Sequence, residues 1–141
     1  MRFMVIVKGN KETESGALPD PKALEAMGKF NEELVKAGVM LAGEGLQPSS
    51  KGARVKYQGG GKSTVVDGPF TETKELVAGF WLWQVKSKDE AIAWLKRAPF
   101  LEGDVVEIRQ VFEAEDFAPV DPTGELRKNE QELRKKVEAR R

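Results

Sequence analysis

The 141-residue sequence contains no cysteine and no histidine. Without cysteine there are no disulfides, thiolate zinc sites, iron–sulfur clusters or thiol nucleophiles. Without histidine there is no imidazole base, no Ser-His-Asp triad, no HExxH zinc site and no histidine pH switch. An excess of one charge is missing too, since 23 Lys+Arg balance 23 Asp+Glu. No basic surplus exists to neutralise phosphates, which argues against direct nucleic-acid binding. Long hydrophobic runs are also absent. Arg2-Phe3-Met4-Val5-Ile6-Val7 stops at Lys8, and nothing approaches the ~20 apolar residues of a membrane span. The expectation is a soluble cytoplasmic protein without membrane contact or cofactor. The carboxylates are numerous, but no D-x-D-x-D-G loop is present, so no metal site is expected.

What is present reads as one domain with an appendage. Arg2 to Lys8 has the pattern of a strand buried on both faces, with Phe3, Val5 and Val7 opposite Met4 and Ile6. Residues 9–19 are polar and turn-rich, hence a loop. Asp20-Pro21 predicts a helix start, cap followed by proline at the first helical position. Leu24, Met27, Phe30, Leu34 and Val35 then recur at helical spacing until Gly38, a C-terminal stop. Val39 to Ala42 predicts a second strand. Ala53 to Gln58 and Lys62 to Val66, joined by Gly59-Gly60-Gly61, predict a hairpin. Leu76 to Val85 is the most hydrophobic strand, with Phe80 and Leu82 opposite Trp81, Trp83 and Val85. Ser87 and Glu90 form a capping box for a helix ending at Pro99, with Ala91, Ile92, Trp94, Leu95 and Ala98 inward. Asp104 to Phe112 is the last strand.

This order predicts an α+β, ferredoxin-like (split βαβ) domain over 1–112 with an inserted hairpin. Residues 113–141 form a linker and a charged helical tail. Residues 121–141 hold seven Lys/Arg against five Asp/Glu, and only Leu126, Leu133 and Val137 mark an apolar stripe. That helix either docks on the domain or a partner subunit, or frays.

Two helices cover one face of such a sheet. Strands 2–8 and 76–85 nevertheless carry large apolar groups on both faces. An uncovered face would exceed the apolar patch that monomers tolerate, so a homodimer packing sheet to sheet is expected. The alternative is cover supplied by the 9–19 loop, the hairpin or the tail.

Asp67-Gly68-Pro69-Phe70-Thr71-Glu72-Thr73-Lys74-Glu75 is the most unusual stretch. Asp-Gly-Pro fixes a turn that could project Phe70 and gather three carboxylates and a lysine. Asp67 or Glu72 would then be an acid/base and Lys74 an anion clamp. The plainer reading is a turn capped by Asp67 with solvated charges. In Gly43-Glu44-Gly45-Leu46-Gln47-Pro48, a carboxylate between two glycines leaves open backbone for a ligand, or marks a bulge. Gly59-Gly60-Gly61-Lys62-Ser63 lies between strands and lacks the helix of a phosphate loop. The three tryptophans could line an apolar cavity, but tryptophans on a central strand and a capped helix are more often core or interface.

These residues bring a family into view. "AGEGLQP" (Ala42 to Pro48), "DGPFTETKE" (Asp67 to Glu75) and "GFW" (Gly79 to Trp81) resemble the DGPF-domain proteins of the YCII-related family. "FNEEL…AGV" (Phe30 to Val39) and "VEIRQV" (Val106 to Val111) agree, and the resemblance covers about 1–112. It implies a ferredoxin-like fold that dimerises into an α/β barrel, and no settled activity. A histidine–aspartate pair has suggested enzymatic activity for the wider group; here only Asp67 remains of it. Occurrence beside extracytoplasmic-function sigma factors implies a protein partner in transcription regulation.

Three functions follow as expectations. The first is a homodimer binding a small polar ligand in the barrel cleft near Glu44, Asp67, Phe70, Glu72, Lys74 and Glu75. The second is a protein-interaction module tied to sigma-factor transcription. The third is a carboxylate-based isomerase or lyase, with Asp67 or Glu44 as a base whose pKa burial has raised.

Overall fold

The computed structural model describes residues 1–72 and 75–140. The chain divides into two compact units, Met1–Gln110 and Val111–Arg141. The first has the ferredoxin-like α+β architecture. Strands β1 (Arg2–Lys8), β2 (Met40–Gly45), β5 (Val77–Gln84) and β6 (Val106–Gln110) form an antiparallel sheet in the order β2-β5-β1-β6. Between β2 and β5 the chain inserts β3 (Ala53–Tyr57) and β4 (Ser63–Asp67), a separate two-stranded sheet.

The helices arise where local chemistry places them. In α2 (Pro21–Lys36), Asp20 accepts the Ala23 N–H at 2.8 Å. The chain leaves this helix through Gly38 at φ 71°, a left-handed conformation that glycine adopts without strain. In α3 (Lys88–Lys96), Ser87 Oγ accepts the Glu90 N–H at 3.1 Å. The reciprocal half of the expected box shifts by one residue, since Glu90 accepts from the Lys86 N–H instead.

The core lies on the helical face of the sheet. Val5, between Trp81 and Ile108 in register, is fully buried, as are Trp83 and Leu34. Phe3, Phe30, Val39, Val85 and Ala91 complete it. On the opposite face Met4 is exposed, while Ile6, Phe80 and Leu82 are half-buried. Alternation along β1 and β5 divides the faces as their period-2 pattern predicts.

Three sequence expectations require correction. The 9–19 segment is not all loop: Lys11–Glu14 forms a short helix, α1, closed by reciprocal bonds between Asn10 and Thr13. Leu24 and Val35 are exposed at the margins of the α2 stripe, and only Phe30 and Leu34 are fully inside. The second strand runs on to Gly45, with an irregularity between Met40 and Ala42 that leaves Leu41 outside the pairing and exposed.

The second unit contains a 3-10 segment, Ala114–Val120, and α4 (Glu125–Glu138). Gly124, the residue before α4, has no side chain with which to cap it. Asp121 does so from three residues earlier, accepting the N–H groups of Leu126 and Arg127 and the Arg127 Nε at 3.0–3.2 Å. Burial alone would raise the Asp121 carboxyl pKa. The hydrogen bonds from Arg127 and Leu126, with the Arg127 charge, outweigh it and hold the pKa below the ordinary range. Leu126, Leu133 and Val137 are all exposed, and α4 buries none of its residues. No helix among the described residues is long and apolar enough to cross a membrane.

Candidate functional site

Two neighbouring cavities occupy one end of the first unit. The larger, about 560 Å³, lies between the ends of β2 and β5, the middle of α2 and residues 13–19. Its position depends on glycine. A side chain at Gly43 would meet the Trp81 indole at 2.7 Å and Met40 at 2.8 Å. One at Gly79 would come within 2.9 Å of the Glu44 carbonyl, where β2 and β5 run close together. Gly45 differs: a side chain there would meet nothing within 4 Å. Its open side is cavity.

Glu44 borders this cavity from β2 and is exposed. Asn31, on α2, also borders it, and its Oδ1 accepts the Trp81 Nε1–H at 3.0 Å. Leu18, Met27, Met40, Leu46, Phe80 and Phe100 are among the apolar residues of the remaining lining, which also includes the Gln47 amide. The volume and the mostly apolar lining fall within the range of small-molecule sites.

The second cavity, about 360 Å³, shares the Leu46-Gln47-Pro48 wall with the first and is bordered by Phe70 and Glu75. The Asp67–Phe70 turn is held here by contacts that the sequence does not advertise. Ser49 Oγ accepts the Phe70 N–H at 3.0 Å and donates to a carboxylate oxygen of Glu14. The other Glu14 oxygen accepts the Ser49 N–H at 3.0 Å. The Gly68 N–H donates to the Gly52 carbonyl at 2.9 Å, and a Cβ on Gly68 would overlap the Ser49 carbonyl. Glycine at 68 is therefore a packing requirement. The Gly68–Pro69 peptide bond is cis.

Phe70 does not project freely. The Arg54 guanidinium covers its ring at 3.8 Å from the centroid and lies 3.7 Å from Glu72 Oε2. Asp67 is exposed at the end of β4, opposite Ala53. Neither Asp67 nor Glu72 borders either of these two cavities. Glu44 and the turn thus belong to adjacent hollows, not to one cluster of carboxylates. Lys74 lies outside the described residues. Among the described residues no group of three acidic side chains stands at metal-binding separation.

Glu14, Asn31, Ser49 and Arg54 escaped the sequence reading. Asn31 sits inside the quoted FNEEL stretch without a role, and Ser49 follows directly on AGEGLQP. Both were near a signal. Glu14 was hidden in a polar loop, and only folding brings it to Ser49.

The YCII-related domain model matches residues 1–115, a span containing both cavities and all of these residues. The chain belongs to the YCII-related family. The YCII-related domain also resembles an uncharacterized protein of Rhizobium meliloti (strain 1021), with 33% identity over 73 residues. The match covers 52% of this chain and 58% of that protein, so the chain spans a little over half of the relative's length.

Proposed function

We propose that this YCII-related domain is a homodimer that binds a small molecule in the cavity bordered by Glu44, beside the Asp67–Phe70 turn. The observation that carries the reading is the open hollow of about 560 Å³, lined by residues of one chain at glycine-framed strand ends. In this reading Glu44 contacts the ligand. Asp67, Phe70, Glu72 and Glu75 act through the turn that backs the shared 46–48 wall. Dimerisation is supported by the second face of the sheet, where Met4, Ile6, Phe80 and Leu82 give an apolar surface. A thermal-shift screen of metabolites tests the site. A compound that raises the wild-type Tm should raise that of Glu44→Ala less; equal shifts throughout would count against it.

A second reading is favoured by α4, whose apolar stripe is exposed throughout. There the tail serves a protein partner, in keeping with a regulatory role in transcription. Deleting residues 121–141 should then release a co-purifying partner while the dimer persists. The carboxylate-based isomerase or lyase has less support. It needs a carboxyl group shielded from water, and Glu44 and Asp67 are both exposed.

A further inference from the structure

We infer that the cavity beside Glu44 takes an uncharged, largely apolar molecule bearing a carbonyl group, which the Asn31 carboxamide recognises. This deepens the small-molecule reading above and rests on it.

Chemistry fixes the identity of one atom on the cavity wall. An indole Nε1–H only donates, so the Asn31 atom 3.0 Å from Trp81 Nε1 must be the oxygen. The other half of the carboxamide, Nδ2, then keeps two N–H donors with no hydrogen-bond partner among the described residues. Trp81 holds this arrangement in place. Its ring packs edge-on against Phe30 and Phe100, with centroids 5.9 and 6.0 Å away, and Gly43 leaves no side chain to displace it. Asn31 is a preoriented donor on the cavity wall.

The rest of the lining narrows the ligand. Met27, Met40, Leu46, Phe80 and Phe100 offer thioether, aliphatic and aromatic surface. A strongly polar molecule would lose its water hydrogen bonds there without replacement. Glu44 is the one charged residue in the lining, and its pairing with Phe80 puts its side chain on the face of the sheet opposite Trp81 and Asn31. No cationic residue is among the lining residues, so an anionic ligand would be desolvated there without a partner. The Thr13 hydroxyl is already engaged by the Asn10 backbone. What fits is a neutral apolar body with one acceptor: a ketone, aldehyde, lactone or amide. The small polar ligand expected from the sequence, with a lysine clamp, does not suit this lining.

Coumarin and naphthalene are suitable probes, because both are neutral two-ring molecules and only coumarin carries a carbonyl. Each is titrated into full-length ¹⁵N-labelled protein, following the Trp81 indole and Asn31 side-chain amide signals. Coumarin should move both signals. The decisive variant is Asn31→Asp, which keeps an oxygen for Trp81 and deletes the donor. It should shift the ratio of the two affinities roughly tenfold toward naphthalene, about what one hydrogen bond supplies. Backbone amide signals unmoved away from residue 31 in the unliganded variant show that the fold is intact. Coumarin-3-carboxylate should bind more weakly than coumarin, because no cationic residue lines the cavity. An unchanged ratio in Asn31→Asp would overturn the inference, as would failure of coumarin to bind. A compound without a carbonyl that stabilises the wild type but not Gly45→Leu would also overturn it, while leaving the small-molecule site standing.

Discussion

Ser49 shows how much one residue can join. Its backbone N–H and hydroxyl hold the Glu14 carboxylate, and the same hydroxyl accepts from Phe70. Three segments, 10–14, 48–52 and 67–70, meet at this side chain. Gly68 completes the junction because its missing Cβ admits the Ser49 carbonyl. Gly68→Ala forces backbone apart, and overpacking of this kind costs about 2 kcal/mol. Urea denaturation should show a lower midpoint with an unchanged slope; a midpoint equal to wild type would mean that the turn absorbs the methyl group freely. Trp83 presents the opposite situation. Its Nε1–H is buried without a hydrogen-bond partner among the described residues, whereas Trp81, two residues away, has Asn31. The indoles share a core but not a role.

At the scale of elements, the legible parts of the fold were those written in local chemistry. Asp20-Pro21 and Gly38 bracket α2, Ser87 opens α3, and the three glycines at 59–61 turn β3 into β4. Period-2 patterning divided β1 and β5 into two faces. The short helix α1 went unread because four residues cannot display a helical period, although Asn10 and Thr13 carried a capping signal. Leu24 and Val35 matched the period of α2, but periodicity does not say how wide a stripe the sheet covers. The candidate site was legible only where glycine marked it, at Glu44 and at the Asp67–Phe70 turn. The pairings of Glu14 with Ser49 and Asn31 with Trp81 span 35 and 50 residues, a distance no local pattern encodes.

The start of α4 carries its own prediction. A carboxyl whose pKa is lowered on folding contributes stability above its unfolded value of about 3.9, and loses it as pH falls through the folded pKa. Asp121 is such a group. In an acid titration followed by NMR, the Leu126 and Arg127 amides should therefore shift with an inflection below that value. Asp121→Asn should abolish the inflection and fray the first turn at neutral pH. An inflection at or above the unfolded value would contradict the capping role.

For the molecule as a whole, the two faces of the main sheet are unequally covered. The helical face buries Phe3, Val5, Trp81 and Trp83 to 5% exposure or less, while Met4 on the other face is 38% exposed. Sheet-to-sheet pairing of two copies would cover that second face. Light scattering at micromolar concentration should give twice the chain mass for wild type. Met4→Lys should give the mass of one chain, because a desolvated charge would then sit at the centre of the interface. A wild-type mass of one chain would remove the dimer from the account.

Gly45 gives direct access to the ligand site. A Cβ at this position meets nothing within 4 Å and Gly45 lines the cavity, so Gly45→Leu places a bulky apolar group against the hollow with room at its root. The measurement is the Tm of wild type and Gly45→Leu, each with and without the best stabilising compound from the screen. Without the compound the two Tm values should match, and the compound should raise the Tm of wild type alone. An undiminished rise in Gly45→Leu would place binding elsewhere and contradict this site.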